Sequence, residues 1–540
     1  MTIKTSLWKD AHVAAIRNNC MAVFLIFVAV MLTYWGSLTG EFVADDKVWA
    51  ALPQSKDPFD EISSILTSWG FSWTSLQANG PPLFRPLGSL MLFSSHVLFG
   101  PNPLSYHLFS LGFHFINCLL VFIILGKLLP TLPITYRVLS ALAFALHPAL
   151  TEAIAWISSI GELQMTTCVL LAMICYLSWK NSGRNRWLFA AAAAALAGVM
   201  VKEGALAFFL LILVFDWCQD RKIQWRALSV IGAGTILYFV WRLLTVGSVA
   251  GGKQLTFSVM KLIEFFLAHL RYLFIPGQQP FSIDPVEEPL TGVIALFATI
   301  VLLLVLFWWG SHQTKKLKGT LCFGGMWIVI TLWPSYAIAL VGSGYFAGRH
   351  IYLPAVGWVL LLGVVFTEVS RKNQSLKYIA SIGVLFMALL AARAANSWQN
   401  NVAVYQRSTS LSPNYAGSLE GLANALFEAG YRDKAMTAYQ KLLERNQNPE
   451  SRKGYLYRLA IICSETGKIQ QSNEYLNIIL MQSPDFAAAW VGLGNNAWLS
   501  GQMQVALKHY QVALKLEPAN IEASRNSAQL LELMGQKLTR

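Results

Sequence analysis

Apolar stretches long enough to cross a bilayer recur along most of this chain, and no soluble fold can absorb so many. A spanning helix needs about 20 mostly apolar residues. Stretches near 20–38, 104–126, 138–157, 162–179, 187–201, 204–218, 227–246, 291–310, 320–341, 351–370 and 376–394 meet or approach that length, about eleven spans in all. Hydrophobic residues make up 55% of the 540, and charged residues only 13%. A soluble domain carries about 25% charged residues. The expected fold class is therefore all-α: a polytopic membrane helical bundle over 1–395, with a separate tail after it. Lys4, Lys9 and Arg17 precede the first apolar run, which is too long for a signal-peptide core. It reads as a retained signal-anchor helix.

The formal charge of +13 does not indicate nucleic acid, because the basic residues lie in short loops between spans. Six clusters carry them: the N-terminus, Lys127/Arg137, Lys180/Arg184/Arg186, Arg221/Lys222/Arg226, Lys315/Lys316/Lys318 and Arg371/Lys372/Lys377. With these spans all six fall on one side, which should be cytoplasmic, and residues 396–540 fall on the other. The seven cysteines are scattered and make no CxxC, so the sequence offers neither a disulfide framework nor zinc-ligand spacing. The partners expected are membrane lipid and not nucleic acid.

Two stretches do not read as simple spans. Residues 39–103 form a long first extracytoplasmic loop, and long loops in compact proteins are usually functional. Within it, 86–99 is apolar but short and is placed as an interfacial helix. Residues 261–276 are amphipathic and aromatic, and suit a helix lying in the outer leaflet.

The tail, 396–540, is different in kind. Gly430, Gly467, Gly501 and Gly535 recur at near-constant spacing, and Pro413, Pro449, Pro484 and Pro518 keep the same rhythm. Ala435 with Tyr439 and Ala506 with Tyr510 repeat a small-x3-aromatic pair, and Trp490-x2-Leu493-Gly494 opens one unit. A period of ~34 residues with these positions is the tetratricopeptide signature, here about four units forming an α-solenoid. The second unit is weaker, since Ser472 takes the place of the small Ala.

The polar residues that could carry chemistry start with Asp45 and Asp46, where the first span ends. They suit a helix stop, or a general base with a neighbour that orients it or tunes its pKa. Arg85 in Phe84-Arg85-Pro86-Leu87 suits an interfacial snorkelling role or the grip of an anionic headgroup. His147 and Glu152 sit in one apolar run, with Pro148 perturbing the turn between them and Glu162 following at the outer turn. Ionisable groups inside a span are functional candidates by default. Lys202-Glu203 reads as a mutual ion pair, or as a phosphate-binding Lys beside a carboxylate. Arg349 and His350 end a Gly-rich connection, 342–348, that allows close backbone approach. Under the topology above, all these residues except His147 map to the outer side. Carboxylates with three cations at a membrane face suit a reaction on a lipid-linked phosphate.

These motifs resemble, in order and over nearly the whole chain, those of the TMTC proteins (transmembrane and tetratricopeptide-repeat containing), a family of GT-C class glycosyltransferases. The residues that match are Gly40 to Asp46, Phe84-Arg85-Pro86-Leu87, Pro103-Leu104-Ser105-Tyr106-His107-Leu108 and His147-Pro148-x2-Thr151-Glu152-Ala153 with Glu162. Lys202-Glu203-Gly204, Arg349-x2-Tyr352-Leu353-Pro354 and Trp398-x6-Tyr405 complete the set. The resemblance implies transfer of a sugar, typically mannose, from a polyprenyl phosphate to a protein hydroxyl. It implies a catalytic Asp at Asp45 or Asp46, with Arg85, His147, Glu152, Lys202 and Arg349 as further site residues.

The expectation is therefore an inverting glycosyltransferase with an extracytoplasmic site. Asp45 is the base, with Asp46 supporting it or exchanging roles with it; Arg85, Lys202 and Arg349 hold the donor phosphate; His147, Glu152, Glu162, Glu203 and His350 shape the pocket. No cofactor is expected, and a divalent metal near Asp45 and Asp46 has no further ligand spacing behind it. The repeats should bind a protein acceptor or partner. With a tail shorter than that of animal members, a bacterial inner membrane with periplasmic repeats is favoured over the endoplasmic reticulum with luminal ones. The rival readings are transfer to a glycolipid or glycan, transfer of a whole oligosaccharide to protein, and a non-catalytic scaffold whose repeats recruit partners.

Overall fold

A computed structural model describes residues 2–46, 58–67, 84–246, 259–277, 312–332, 347–373 and 375–538, with single positions between 281 and 310. The described residues are helical throughout, α-helices joined by short 3-10 turns. They fall into two compact units, Met1–Ser412 and Pro413–Arg540. Residues 396–412, assigned by sequence to the repeat tail, belong with the first unit.

Among the described residues of the first unit six helices are long and apolar enough to cross a membrane: Ile16–Thr39, Pro103–Leu128, Ile157–Ser182, Trp225–Thr245, Pro354–Lys372 and Leu376–Trp398. This is a multi-pass membrane protein. The count of about eleven is not reached among the described residues. The expected span at 187–201 is the helix Asn185–Val201, whose 17 residues rise only about 26 Å against a hydrocarbon core of about 30 Å. The expected span at 204–218 is the still shorter helix Ala207–Gln219. Most of the expected span at 291–310 and residues 333–341 of the expected span at 320–341 lie outside the described residues, as do 47–57 and 68–83 of the loop 39–103.

The expected span at 138–157 is a bent pair, Ile134–Ala145 and Pro148–Ala155, with 42° between its halves. Pro148 has no N–H to continue the first helix and holds His147 in extended backbone, φ −70° and ψ 119°. The break leaves the Ala145 carbonyl without a helical donor. Tyr34 Oη donates to it at 3.2 Å, and His114 Nε2 lies 3.0 Å away. Broken backbone at membrane depth is tolerated where protein groups satisfy it in this way.

Helices also start where the sequence marks them. Pro86, Pro103 and Pro354 each occupy the first turn of a helix, where a missing N–H costs nothing. Small residues set the closest crossing: a Cβ on Gly357 would meet the Gly324 carbonyl at 2.6 Å, so the helices Lys315–Thr331 and Pro354–Lys372 pack backbone to backbone. The amphipathic stretch is a helix, Val259–Phe274, and 86–99 is a helix, Pro86–Phe99.

The second unit is three helix pairs and a closing helix. The pairs are Ala416–Glu428 with Arg432–Arg445, Pro449–Glu465 with Ile469–Gln482, and Ala487–Leu499 with Met503–Leu516; Ile521–Leu538 follows. Gly430, Gly467 and Gly501 make the turns inside the pairs at φ +81°, +77° and +77°, a region only glycine enters freely. Gly535 breaks this rhythm: it lies within the closing helix and makes no turn. The expected fourth unit is therefore a single helix among the described residues. Ala435 and Ala506 are fully buried at the pair crossings. Ser472 fills the same place without an orphaned hydroxyl, because its Oγ donates to the Ala460 carbonyl at 2.8 Å and accepts from Asn496 Nδ2 at 2.8 Å.

Candidate active site

The site is gathered along one short stretch of chain, 152–162, which follows the bend at Pro148. The first residue of that stretch, Glu152, is almost fully buried. Its Oε2 accepts from the Gly348 amide at 2.9 Å and its Oε1 from Arg349 Nη1 at 2.8 Å. The Arg349 guanidinium also lies over the Trp156 ring, 4.9 Å from its centroid. At the far end, Glu162 pairs with Lys202 Nζ, and His350 Nδ1 lies 3.2 Å from the same Oε1. Arg349 and His350 are neighbours in sequence and reach the two ends of the stretch.

Arg85 supplies the third cation. Its Nε and Nη2 both donate to Glu203 Oε2, at 3.0 and 2.8 Å. Glu203 Oε1 is taken by Arg242 Nη1 at 3.0 Å. Arg242 is buried, and Tyr238 one turn earlier donates to the Phe84 carbonyl at 2.7 Å, which fixes the backbone just before Arg85. Lys202 and Glu203 do not pair with each other, as one reading of the sequence had it. They point to different partners, Glu162 and Arg85.

The three cations share one field. Burial lowers the Lys202 pKa, Glu162 raises it, and the charges of Arg85 and Arg349 lower it again. His350 is brought down to about 4, first by burial and then by Arg349 and Lys202, against the pull of Glu162. It is a neutral imidazole at physiological pH. Glu203 lies below the usual carboxylate range: burial would raise it, but the Arg85 charge, its hydrogen bonds and Arg242 outweigh that.

The two aspartates have different surroundings. Asp45 is exposed. Asp46 is fully buried, and both its oxygens are used. Its Oδ1 accepts from the Ser158 amide at 2.7 Å and from Ser158 Oγ at 2.5 Å, and its Oδ2 accepts from the Val43 amide at 3.2 Å. Burial pushes its pKa up to about 7 despite those donors, and Asp45 adds to the rise. Ser158 belongs to the 152–162 stretch, so Asp46, Lys202 and Arg349 are fixed to the same element, while Arg85 is held by Glu203 outside it.

His147 is placed differently. Its Nε2 lies 3.1 Å from the Leu273 carbonyl, its Nδ1 accepts from the Ala149 amide, and its ring packs edge-on against Trp358 at 4.9 Å. Both nitrogens serve to hold the bend and the amphipathic helix together. Among the described residues no group of three His, Cys, Asp or Glu side chains could hold a metal ion.

Sequence reasoning did not single out Trp156, Ser158, Tyr238 or Arg242. Arg242 carried a signal, since it is a cation at the end of an otherwise apolar span. Ser158 and Trp156 carried none beyond lying between Glu152 and Glu162.

Fold and site together define a multi-pass membrane protein with two adjacent aspartates, three cations paired with carboxylates and a tetratricopeptide-type tail. A tetratricopeptide repeat family model matches residues 416–449. The Caenorhabditis elegans protein O-mannosyl-transferase F38B6.6 is 24% identical over 80% of this chain and 64% of its own length. The mouse protein O-mannosyl-transferase TMTC4 is 23% identical over 80% of this chain and 67% of its own. Drosophila melanogaster Tmtc2, also a protein O-mannosyl-transferase, is 33% identical over 45% of this chain and 27% of its own. Among solved structures, the MamA protein matches 25% of this chain at 18% identity, with a TM-score of 0.22. The chain is a distant homologue of the TMTC-family protein O-mannosyltransferases.

Proposed function

We propose that this protein is an inverting glycosyltransferase that moves a sugar, mannose on the strength of its relatives' names, from a polyprenyl-phosphate donor to a protein hydroxyl on the extracytoplasmic side of a membrane. One observation carries the reading. Two cations, Lys202 and Arg349, are each held by a carboxylate of the short element that also clamps Asp46, the neighbour of the exposed Asp45, and the third, Arg85, is held by Glu203 next to Lys202.

In this reading the acceptor hydroxyl loses its proton to Asp45 as its oxygen attacks the anomeric carbon. The bond from that carbon to the phosphate oxygen breaks, and the lipid phosphate leaves as a dianion. Charge therefore develops on the phosphate in the transition state, where preorganised cations lower the barrier most. Arg85, Lys202 and Arg349 occupy that role. Glu152, Glu162 and Glu203 keep them oriented before the donor arrives.

Asp45 is favoured over Asp46 as the base by access. A pKa of about 7 would suit a general base. Asp46, however, has no exposed surface, and donors already occupy both its oxygens. Asp46 is the anchor and Asp45 the reacting group. The tetratricopeptide unit supplies a surface for the acceptor protein.

The test is Asp45→Asn, assayed with a polyprenyl-phosphate mannose and a Ser/Thr-rich peptide, beside the wild type and Asp46→Asn. A fall in kcat of about 100-fold or more with the donor KM unchanged is expected for loss of a general base. Transfer by Asp45→Asn at the wild-type rate would overturn the assignment.

A further inference from the structure

The loop that bears the aspartates is laced to a second segment, 396–401, which enters the helix Asn401–Leu411. The two run alongside each other from Gly36 and Asn396 to Ala44 and Asn401. A Cβ on Gly36 would overlap Asn396 Oδ1. A Cβ on Gly40 would stand 3.0 Å from the Trp398 carbonyl and 3.2 Å from His107 Nε2. The Glu41 amide donates to the Gln399 carbonyl at 2.8 Å, and the Ala44 amide donates to Asn401 Oδ1 at 2.7 Å. Apolar packing follows the same line, with Val43, Trp156, Trp398 and Val404 in one buried cluster.

The last of these links falls where the backbone is strained. Ala44 has φ +48°, in the left-handed region that a residue with a Cβ enters only with strain. Such a conformation persists only where the surroundings over-determine it. On one side Asp46, two residues on, is clamped by Ser158. On the other, Asn401 holds the Ala44 amide. Asp45 lies between the two clamps, and its own side chain is exposed.

We infer that Asn401 is a positioning residue for the catalytic aspartate: by accepting from the Ala44 amide it holds the strained turn that presents Asp45 to the acceptor. The inference rests on the reading of Asp45 as the base. It adds a residue that touches neither substrate and acts through the backbone alone. Asn401 is distant from the aspartates in sequence, and the chain runs on from it towards the repeats.

Two readouts on the full-length protein in detergent or nanodiscs test it. Hydrogen exchange of the peptide covering 40–46 reads the turn itself. In Asn401→Ala it should speed up about tenfold, while exchange at Gly348, held by Glu152, stays as in the wild type. Transfer from polyprenyl-phosphate mannose to a Ser/Thr-rich peptide reads the consequence: kcat should fall about tenfold, with the donor KM unchanged. Asn401→Asp keeps an acceptor for the amide but adds a negative charge near Asp45. It should recover activity, with the acid limb of the pH profile moved upward. Ala44→Gly, which takes φ +48° without strain, should partly rescue Asn401→Ala.

Unchanged exchange over 40–46 in Asn401→Ala overturns the inference. So does faster exchange with wild-type kcat. Should Asp45→Asn itself keep wild-type transfer, the base assignment fails, and the positioning claim falls with it even where the exchange result stands. Should Asp45→Asn be inactive and Asn401→Ala fully active, only the positioning claim fails.

Discussion

Arg349 is held from two directions, by Glu152 Oε1 at 2.8 Å and by the face of Trp156, 4.9 Å from its ring centroid. Both partners come from the same turn of chain, so the guanidinium has one orientation available. Glu152→Gln keeps the shape but loses the charge. It should raise the donor KM about tenfold, because Arg349 is no longer aligned, and it should lower stability. Removing one partner of a buried pair costs about 3–5 kcal/mol. Thermal unfolding in detergent, with steady-state transfer beside it, measures both.

Arg85 presents a different case, because it grips Glu203 with two nitrogens while Arg242 takes the other oxygen. A lysine at 85 cannot reproduce the two-pronged contact. Arg85→Lys should weaken donor binding by about tenfold, or ~1.4 kcal/mol, with a smaller change in kcat. Titration of a fluorescent polyprenyl phosphate measures the binding directly. An Arg85→Lys variant that binds as the wild type does would remove Arg85 from the phosphate site.

The buried Asp46 makes stability depend on pH. Its pKa stands near 7 in the fold and at the ordinary 3.8 when exposed, so the folded state holds its proton more tightly. Protonation therefore favours the fold. The contribution is fully present below the unfolded value and is lost as pH rises through about 7. Thermal stability of the wild type should fall between about pH 4 and 7 more steeply than that of Asp46→Asn, which has no proton to lose. Parallel slopes for the two proteins would contradict the burial argument.

The repeat unit offers a test of its own. A Cβ on Gly494 would stand 2.5 Å from the Tyr510 ring, and Tyr510 is fully buried with its hydroxyl on Asn495. Gly494→Ala should destabilise this unit by about 1–3 kcal/mol through overpacking. Limited proteolysis should then cut first within 487–516, while the membrane unit stays protected.

Much of the fold was legible because its signals are local. Apolar length marked the long helices. The Gly430, Gly467 and Gly501 turns marked the repeats. The span count was not legible, since Asn185–Val201 and Ala207–Gln219 are apolar enough to suggest crossing but too short to show it. Gly535 kept the period of the repeat without its turn, because periodicity records spacing and not conformation. In the site, the charged residues announced themselves by standing in apolar surroundings. Their pairing did not: Lys202 and Glu203 are adjacent in sequence, yet choose Glu162 and Arg85 in space. Ser158 and Asn401 were invisible for a related reason. Each acts through a backbone amide or a single hydroxyl, and ordinary polar residues carry no compositional flag.

The pairing of every cation in the site with its own carboxylate also bears on what the protein ignores. Phospholipid headgroups outnumber any glycosylated carrier in a bilayer, and bare guanidinium groups would collect them. With Glu152, Glu162 and Glu203 already in place, a passing headgroup must displace an internal rival before it gains anything. In the proposed reaction the same three acids would close over the vacancy once a spent carrier departs, and the pocket would return to rest without outside help.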